Sequence, residues 1–235
     1  GSGSTKTIFG FTLSHLNKNY IIIVDERKKQ KHPRRYGDIM RVETSGASNL
    51  TAGADRLTGS GVQASEKMAN HDLACMRTYK TIIGKVASKR DVDPALIAAI
   101  ASRESRGGAA ISGNNGWCPR RIGFGLMQVD KDAHTPIGAW NSVEHVDQAT
   151  GILVDIIKEV QRDFPDWSRE KQLKAPLTYI LPKLCPLCFT SGAIAYYNMG
   201  RNVLSCPHGV DHLTTGKDYS SDVVARAQFY KRNGF

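Results

Sequence analysis

The sequence predicts an α+β fold that is mainly α, and three observations carry this. Several segments place apolar residues at helical spacing. One helix, Pro94 to Arg106, is apolar on nearly every side and so belongs at the centre. Only one stretch, Gly123 to Asp130, has the glycine-bounded apolar character of a short strand or hairpin arm.

Taken in order, the chain begins Gly1-Ser-Gly-Ser4, which looks like a leftover of an expression tag. Residues 5–35 read as an N-terminal extension. Ile8 to Val24 is mildly apolar, but His15, Asn17, Lys18 and Asn19 make it too polar for a membrane span. No small-residue cleavage site follows, so no signal peptide is expected. Arg27 to Arg35 is a basic run, read as a solvated linker in preference to a localisation signal. Residues 36–62 are rich in Gly, Ser and Thr without periodicity and are expected to be surface loop.

From Ser65 to Lys89, Met68, Leu73, Met76, Tyr79, Ile82, Ile83 and Val86 predict one amphipathic helix, with Cys75 as a small core residue. Asp93 can cap the next helix and Pro94 suits its first position. After Gly123–Asp130, a helix starts at Asn141 or Ser142. Its stripe is Val146, Ala149, Ile152, Leu153, Ile156, Ile157 and Val160, and Phe164-Pro165 ends it. Ser168 caps a short helix through Lys174, and a last helix runs from about Ser220 to Arg232 with Gly234 beyond it.

At 235 residues the chain can hold one domain with a substantial core or two small ones. A net charge of +10 points to a polyanionic partner, and nucleic acid or an anionic cell wall would both fit. No nucleic-acid motif or aromatic-interleaved basic stripe accompanies the charge, so nucleic acid is not the expected partner. The five cysteines cannot all pair within one chain.

The chemistry is expected at the end of the central helix, where Arg103, Glu104 and Ser105 stand. Burial and the negative end of the helix dipole both disfavour a carboxylate there and keep a proton on it, as a general acid requires. The competing reading is a plain ion pair of Glu104 with Arg103 or Arg106.

Glu104-Ser105 followed by Gly123-FGLMQVD-Lys131 resembles the goose-type lysozymes within the lysozyme-like and lytic transglycosylase superfamily. The resemblance continues through Tyr36-GDI, Thr44-SGAS, Tyr79-KTII, Asp93-PALIAAIASRES, Gly138-AWNS, Gln148-ATGIL, Phe164-PDWS, Gly192-AIAYYN and Asp222-VVARAQFYK. So many blocks in order are far more specific than one short motif. The resemblance implies a catalytic domain over residues 36–235 with a lysozyme-like fold, a buried central helix and a short β-hairpin region lining a cleft. Where avian members carry disulfides, this chain has Arg35, Asn49, Ser60 and Asp91. It is therefore most similar to the disulfide-poor, fish-like members, and stability must come from its core. Residues 175–191, APLTYILPKLCPLCFTS, interrupt the resemblance and read as an atypical insert, such as retained non-coding sequence. Cys185-x-x-Cys188 with Cys206-Pro-His208 could be drawn as a zinc site, but the spacing is loose and no metal or cofactor is expected.

The resemblance also implies roles. Glu104 matches the general acid and Asp130 one of two assisting aspartates. Pro119 stands where the second belongs, and no carboxylate lies between Glu104 and Asp130 to replace it. His134, Tyr197, Asn198 and Tyr219 match substrate-contacting positions; Gln128 either points into the cleft or pairs with backbone. Amides and hydroxyls suit N-acetyl and hydroxyl groups, and rings suit pyranose faces. The implied reaction is muramidase hydrolysis of the β-1,4 bond between N-acetylmuramic acid and N-acetylglucosamine in bacterial peptidoglycan, with inversion. The alternatives are transglycosylase-like cleavage, or a non-catalytic peptidoglycan-binding protein. Family expectations also include extracellular antibacterial defence, a monomer, and a proteinaceous lysozyme inhibitor as a possible partner.

Overall fold

The computed structural model describes residues 35–175 and 217–235. The region expected to be loop holds two short helical pieces: a 3-10 turn at Ile39–Arg41 and α1 (Asn49–Ala54). Local caps explain both. Asp38 accepts from the Met40 N–H at 3.0 Å, and Ser48 from the Thr51 N–H at 3.2 Å. Tyr36, Ile39, Val42, Ala47 and Ala52 are buried, so this stretch is pinned to the body at single residues too sparse to show a period.

The single helix expected over 65–89 is two, α2 (Val62–Thr78) and α3 (Lys80–Arg90), broken at Tyr79. There the Thr78 hydroxyl donates to the Cys75 carbonyl at 2.6 Å, and the Tyr79 N–H turns to Met76 O in a tighter 3-10 bond. A β-branched hydroxyl that competes for backbone carbonyls favours such a break. Cys75 is exposed, which corrects its assignment to the core. The buried face of α2 is set by Met68, Asp72 and Met76, one of them a carboxylate that apolar periodicity could not register.

Helix α4 (Pro94–Ser105) forms as expected, with Asp93 accepting from the Ala95 N–H at 3.1 Å and Pro94 in its first turn. Every residue from Ala95 to Ser102 is buried. Leu96, Ile97 and Ile100 each contribute roughly 1.5–3 kcal/mol by leaving water. The strand segment is a minimal antiparallel hairpin, β1 (Gly123–Phe124) and β2 (Val129–Asp130), pairing Gly123 with Asp130 and Phe124 with Val129.

Helix α5 (Val143–Asp163) is capped by Ser142, whose Oγ accepts from the His145 N–H at 3.3 Å. Residues 169–175 are helical, with the Lys171 N–H on Ser168 Oγ at 3.2 Å. Helix α6 (Tyr219–Arg232) carries Val223, Val224, Ala227 and Tyr230 inward. The central α4 packs chiefly on α6, which also covers α2, while α3 packs on α5. The α+β, mainly α expectation therefore holds, with more helices than periodicity alone had separated. The described cysteines, Cys75 and Cys118, are free thiols, so the covalent support of this core is the backbone alone among the described residues.

Candidate active site

The site is built where α4 ends against the hairpin and the start of α6. Helix α4 stops because Arg106 takes a left-handed conformation with φ of +55°, its N–H on Ser102 O at 2.9 Å and the Gly107 N–H on Ala101 O at 3.3 Å. Ser105 then ties this end to the hairpin turn. Its hydroxyl lies 2.8 Å from Leu126 O and 3.0 Å from Ala101 O, and accepts from the Gly108 N–H at 3.0 Å. The turn itself is anchored three ways: Gly125 N–H to Gly116 O at 2.8 Å, Leu126 N–H to Trp140 O at 2.9 Å, and Met127 N–H to His145 Nε2 at 3.1 Å.

Glu104 is partly exposed as a residue, but its carboxyl is enclosed by protein. Burial is the main cause that lifts its pKa from 4.5 to about 7; a hydrogen bond from Tyr219 and the charge of Arg103 pull the other way without winning. The Tyr219 hydroxyl donates to Glu104 Oε1 at 2.5 Å. The plain ion-pair reading does not describe this geometry. Arg103 is held by Asp222 at 2.7 Å and Asp218 at 3.2 Å, and Arg106 by Asp55 at 3.2 Å.

Asp130 ends β2 and is buried; its Oδ1 accepts from the Asp132 N–H at 2.9 Å, and its carbonyl accepts from the His134 N–H at 2.8 Å. The chain Glu104–Ser105–Leu126 thus joins the acid-bearing helix end to the strand pair that carries Asp130. Pro119 lies exposed in the turn just before β1, beside Cys118, whose N–H bonds Gly123 O at 3.0 Å.

A match to the family model described as Lysozyme g covers residues 36–234. A lysozyme g of Cyprinus carpio is 49% identical over 200 residues, covering 85% of this chain and 98% of the carp protein. A lysozyme g of Casuarius casuarius is 46% identical over the same shares. The chain belongs to the lysozyme g family. It is thereby a glycoside hydrolase of the lysozyme type. A lysozyme g-like protein 2 of Homo sapiens, 40% identical over 212 residues, spans 88% of this chain and 87% of its own.

Within this lysozyme g framework the residues singled out from sequence separate into groups. Glu104 and Tyr219 are in contact, the tyrosine hydroxyl donating to the Glu104 carboxyl. Gln128 is 1% exposed in a left-handed conformation, with its amide nitrogen on Gly125 O at 2.7 Å and near Gly116 O at 3.5 Å. Of its two expected placements the described geometry has the amide nitrogen paired with backbone carbonyls. His134 is half-buried directly after the hairpin. Tyr197, Asn198 and the Cys185, Cys188, Cys206, His208 set lie outside the described residues. Among the described residues no group of three or more His, Cys, Asp or Glu side chains could hold a metal, and no helix is long and apolar enough to cross a membrane.

Two contributors carry little signal in the sequence. For Ser105 that signal is its adjacency to Glu104. His145 is fully buried on α5, its ring against Phe124 at 5.8 Å, and burial lowers its pKa to about 4. It sits on the apolar stripe that already held Val146 and Ala149, and nothing in the spacing distinguishes a ring that accepts from a turn.

Proposed function

We propose that this lysozyme g member hydrolyses the β-1,4 bond between N-acetylmuramic acid and N-acetylglucosamine of bacterial peptidoglycan, with Glu104 as general acid. The observation that carries the assignment is the enclosed Glu104 carboxyl, protonated near neutrality and oriented through Oε1 by Tyr219. With one oxygen held, the other presents the proton to the leaving glycosidic oxygen. Asp130 then holds and deprotonates the water that attacks the opposite face of the sugar, giving inversion. His134, Tyr197 and Asn198 hydrogen-bond and stack on the saccharide, while Gln128 keeps the hairpin turn in shape.

The catalytic domain is residues 36–235, the 5–35 stretch is an extension, and 175–191 is an insert. A charge of +10 draws the enzyme to anionic walls as a monomer acting outside the cell in antibacterial defence, with a proteinaceous lysozyme inhibitor as a further partner.

One observation favours a second reading. Pro119 supplies no carboxylate where a second aspartate is expected, and transglycosylase-like cleavage needs only one acid because a sugar hydroxyl attacks. Clearing of a bacterial wall suspension with Glu104→Gln as control, followed by product analysis, decides. Loss of clearing in the variant and reducing-end products support muramidase action. Anhydro-sugar products would replace it with transglycosylation, and clearing by Glu104→Gln would remove Glu104 from the acid role.

A further inference from the structure

The charged residues behind the acid form a connected set. Arg103 precedes Glu104 on α4, and its guanidinium reaches across to the first turn of α6. Nη1 donates to Asp222 Oδ2 at 2.7 Å and Nη2 to Asp218 Oδ1 at 3.2 Å. Between these two aspartates stands Tyr219, and the Arg103 guanidinium lies over its ring at 5.6 Å. A planar fork gripping the residues before and after a tyrosine, with the ring beneath it, fixes that ring in a way a single point charge cannot.

Both carboxylates have further partners that make the anchor rigid. Asp222 Oδ2 also accepts from Arg226 Nε at 2.9 Å. Arg226 Nη1 reaches Ser102 Oγ at 2.8 Å, and Ser102 donates to Asp72 at 2.6 Å. Asp218 Oδ2 accepts from the Ser48 N–H at 2.5 Å. Burial opposes the charge on Asp222, but the charges of Arg226 and Arg103, together with hydrogen bonds from Ser65 and Arg226, hold its pKa below the usual value.

We infer that Arg103 is a positioning residue for the acid: by clamping Asp218 and Asp222 it holds the Tyr219 hydroxyl on Glu104 Oε1. This rests on Glu104 being the general acid. Removing the fork frees the start of α6 to shift, and a misplacement of about 1 Å at such a contact lowers turnover about 10²-fold. Charge and geometry are separable. The charges around this end of α4 are Arg103 on α4 and Arg106 just after it, Asp55 after α1, Asp72 on α2, Asp130 on β2, Asp218 just before α6, and Asp222 and Arg226 on α6. Of these, Arg103 is the cation that favours the Glu104 carboxylate.

The test compares Arg103→Lys, Arg103→Gln, Tyr219→Phe and the Arg103→Lys/Tyr219→Phe double variant, each checked for a cooperative unfolding transition, in pH–rate profiles on a soluble peptidoglycan fragment. Arg103→Lys keeps the charge and loses the fork. Its kcat should fall roughly 10–100-fold with little change in KM, and the alkaline limb should move to higher pH as the Tyr219 hydrogen bond that favours the carboxylate loosens. Arg103→Gln should move that limb further than Arg103→Lys does, since the charge favouring the carboxylate is gone as well. Tyr219→Phe should move it the same way, and Arg103→Lys should then add little on that background. An unchanged kcat in Arg103→Lys, or additive losses in the double variant, would overturn the clamp. If Arg103→Gln does not fold, the Lys variant and the double variant still decide. Loss of activity in Glu104→Gln beside normal Arg103→Lys overturns the clamp alone; activity retained in Glu104→Gln overturns the acid assignment and the clamp together.

Discussion

Replacing Glu104 with Gln should stabilise the protein, and only in a defined pH range. A carboxyl whose pKa rises from 4.5 to about 7 on folding holds its proton longer in the native state than in the unfolded chain. Stability from this group is therefore undiminished below about 4.5, falls as pH rises, and is lowest above about 7. The full difference is about 3 kcal/mol. Gln mimics the protonated acid at every pH and can still accept from the Tyr219 hydroxyl. The variant should match the wild type at pH 4 and melt roughly 6–12 °C higher at pH 8. His145 works in the opposite direction. Its pKa falls from 6.5 to about 4 on folding, so its contribution is complete above 6.5 and is lost as pH drops to about 4. In the wild type the two effects largely offset each other between pH 4.5 and 6.5. In Glu104→Gln the histidine is left alone, and stability should climb with pH through that window. Calorimetric melting of both proteins from pH 4 to 8 reads this directly. A difference in melting temperature that does not change with pH would show that the Glu104 carboxyl is not strained by burial, and the physical basis for its acid role would go with it.

Pro119 lies exposed in its turn, so Pro119→Asp should fold and add back a carboxylate near the attacking water. Its hydrolytic rate should rise at least ~10-fold with oligosaccharide affinity little altered; an unchanged rate in a folded protein would show that Asp130 suffices. Gly125→Ala should cost about 3 kcal/mol or more, because φ is +79° and a Cβ would sit 2.2 Å from His145 Cε1. A denaturant midpoint close to the wild type would contradict the packing described for the hairpin turn. Binding to intact walls should weaken steeply with salt, since the Debye length is only ~10 Å at 0.1 M, whereas binding of neutral chitooligosaccharides should not. Equal salt sensitivity would remove net charge as the source of wall affinity.

Much of the fold could be read locally. The cap at Asp93 with Pro94, the unbroken apolar run to Ala101 and the Ser142 cap define α4 and α5 because those signals act within a few residues. The break at Tyr79 was not legible, since the apolar period runs through it and only the Thr78 hydroxyl's choice of a carbonyl separates α2 from α3. The exposed position of Cys75 was equally hidden, because the face of α2 is partly defined by the buried Asp72, whose partners come from α4 and α6.

For the site, the sequence by itself placed a carboxyl at the end of a buried helix and predicted the direction of its pKa, because burial and helix polarity both follow from the local run of residues. It also located Asp130 on a short strand. What only the tertiary structure decided is which groups meet. Tyr219 reaches Glu104 from 115 positions away in the chain, and Arg103 reaches Asp222 from 119. Gln128 turned inward to the backbone, and His145 came under the hairpin turn. Hydrogen bonds between side chains on different elements depend on how helices cross, and crossing is set by the packing of the whole core, which no local stretch of sequence encodes.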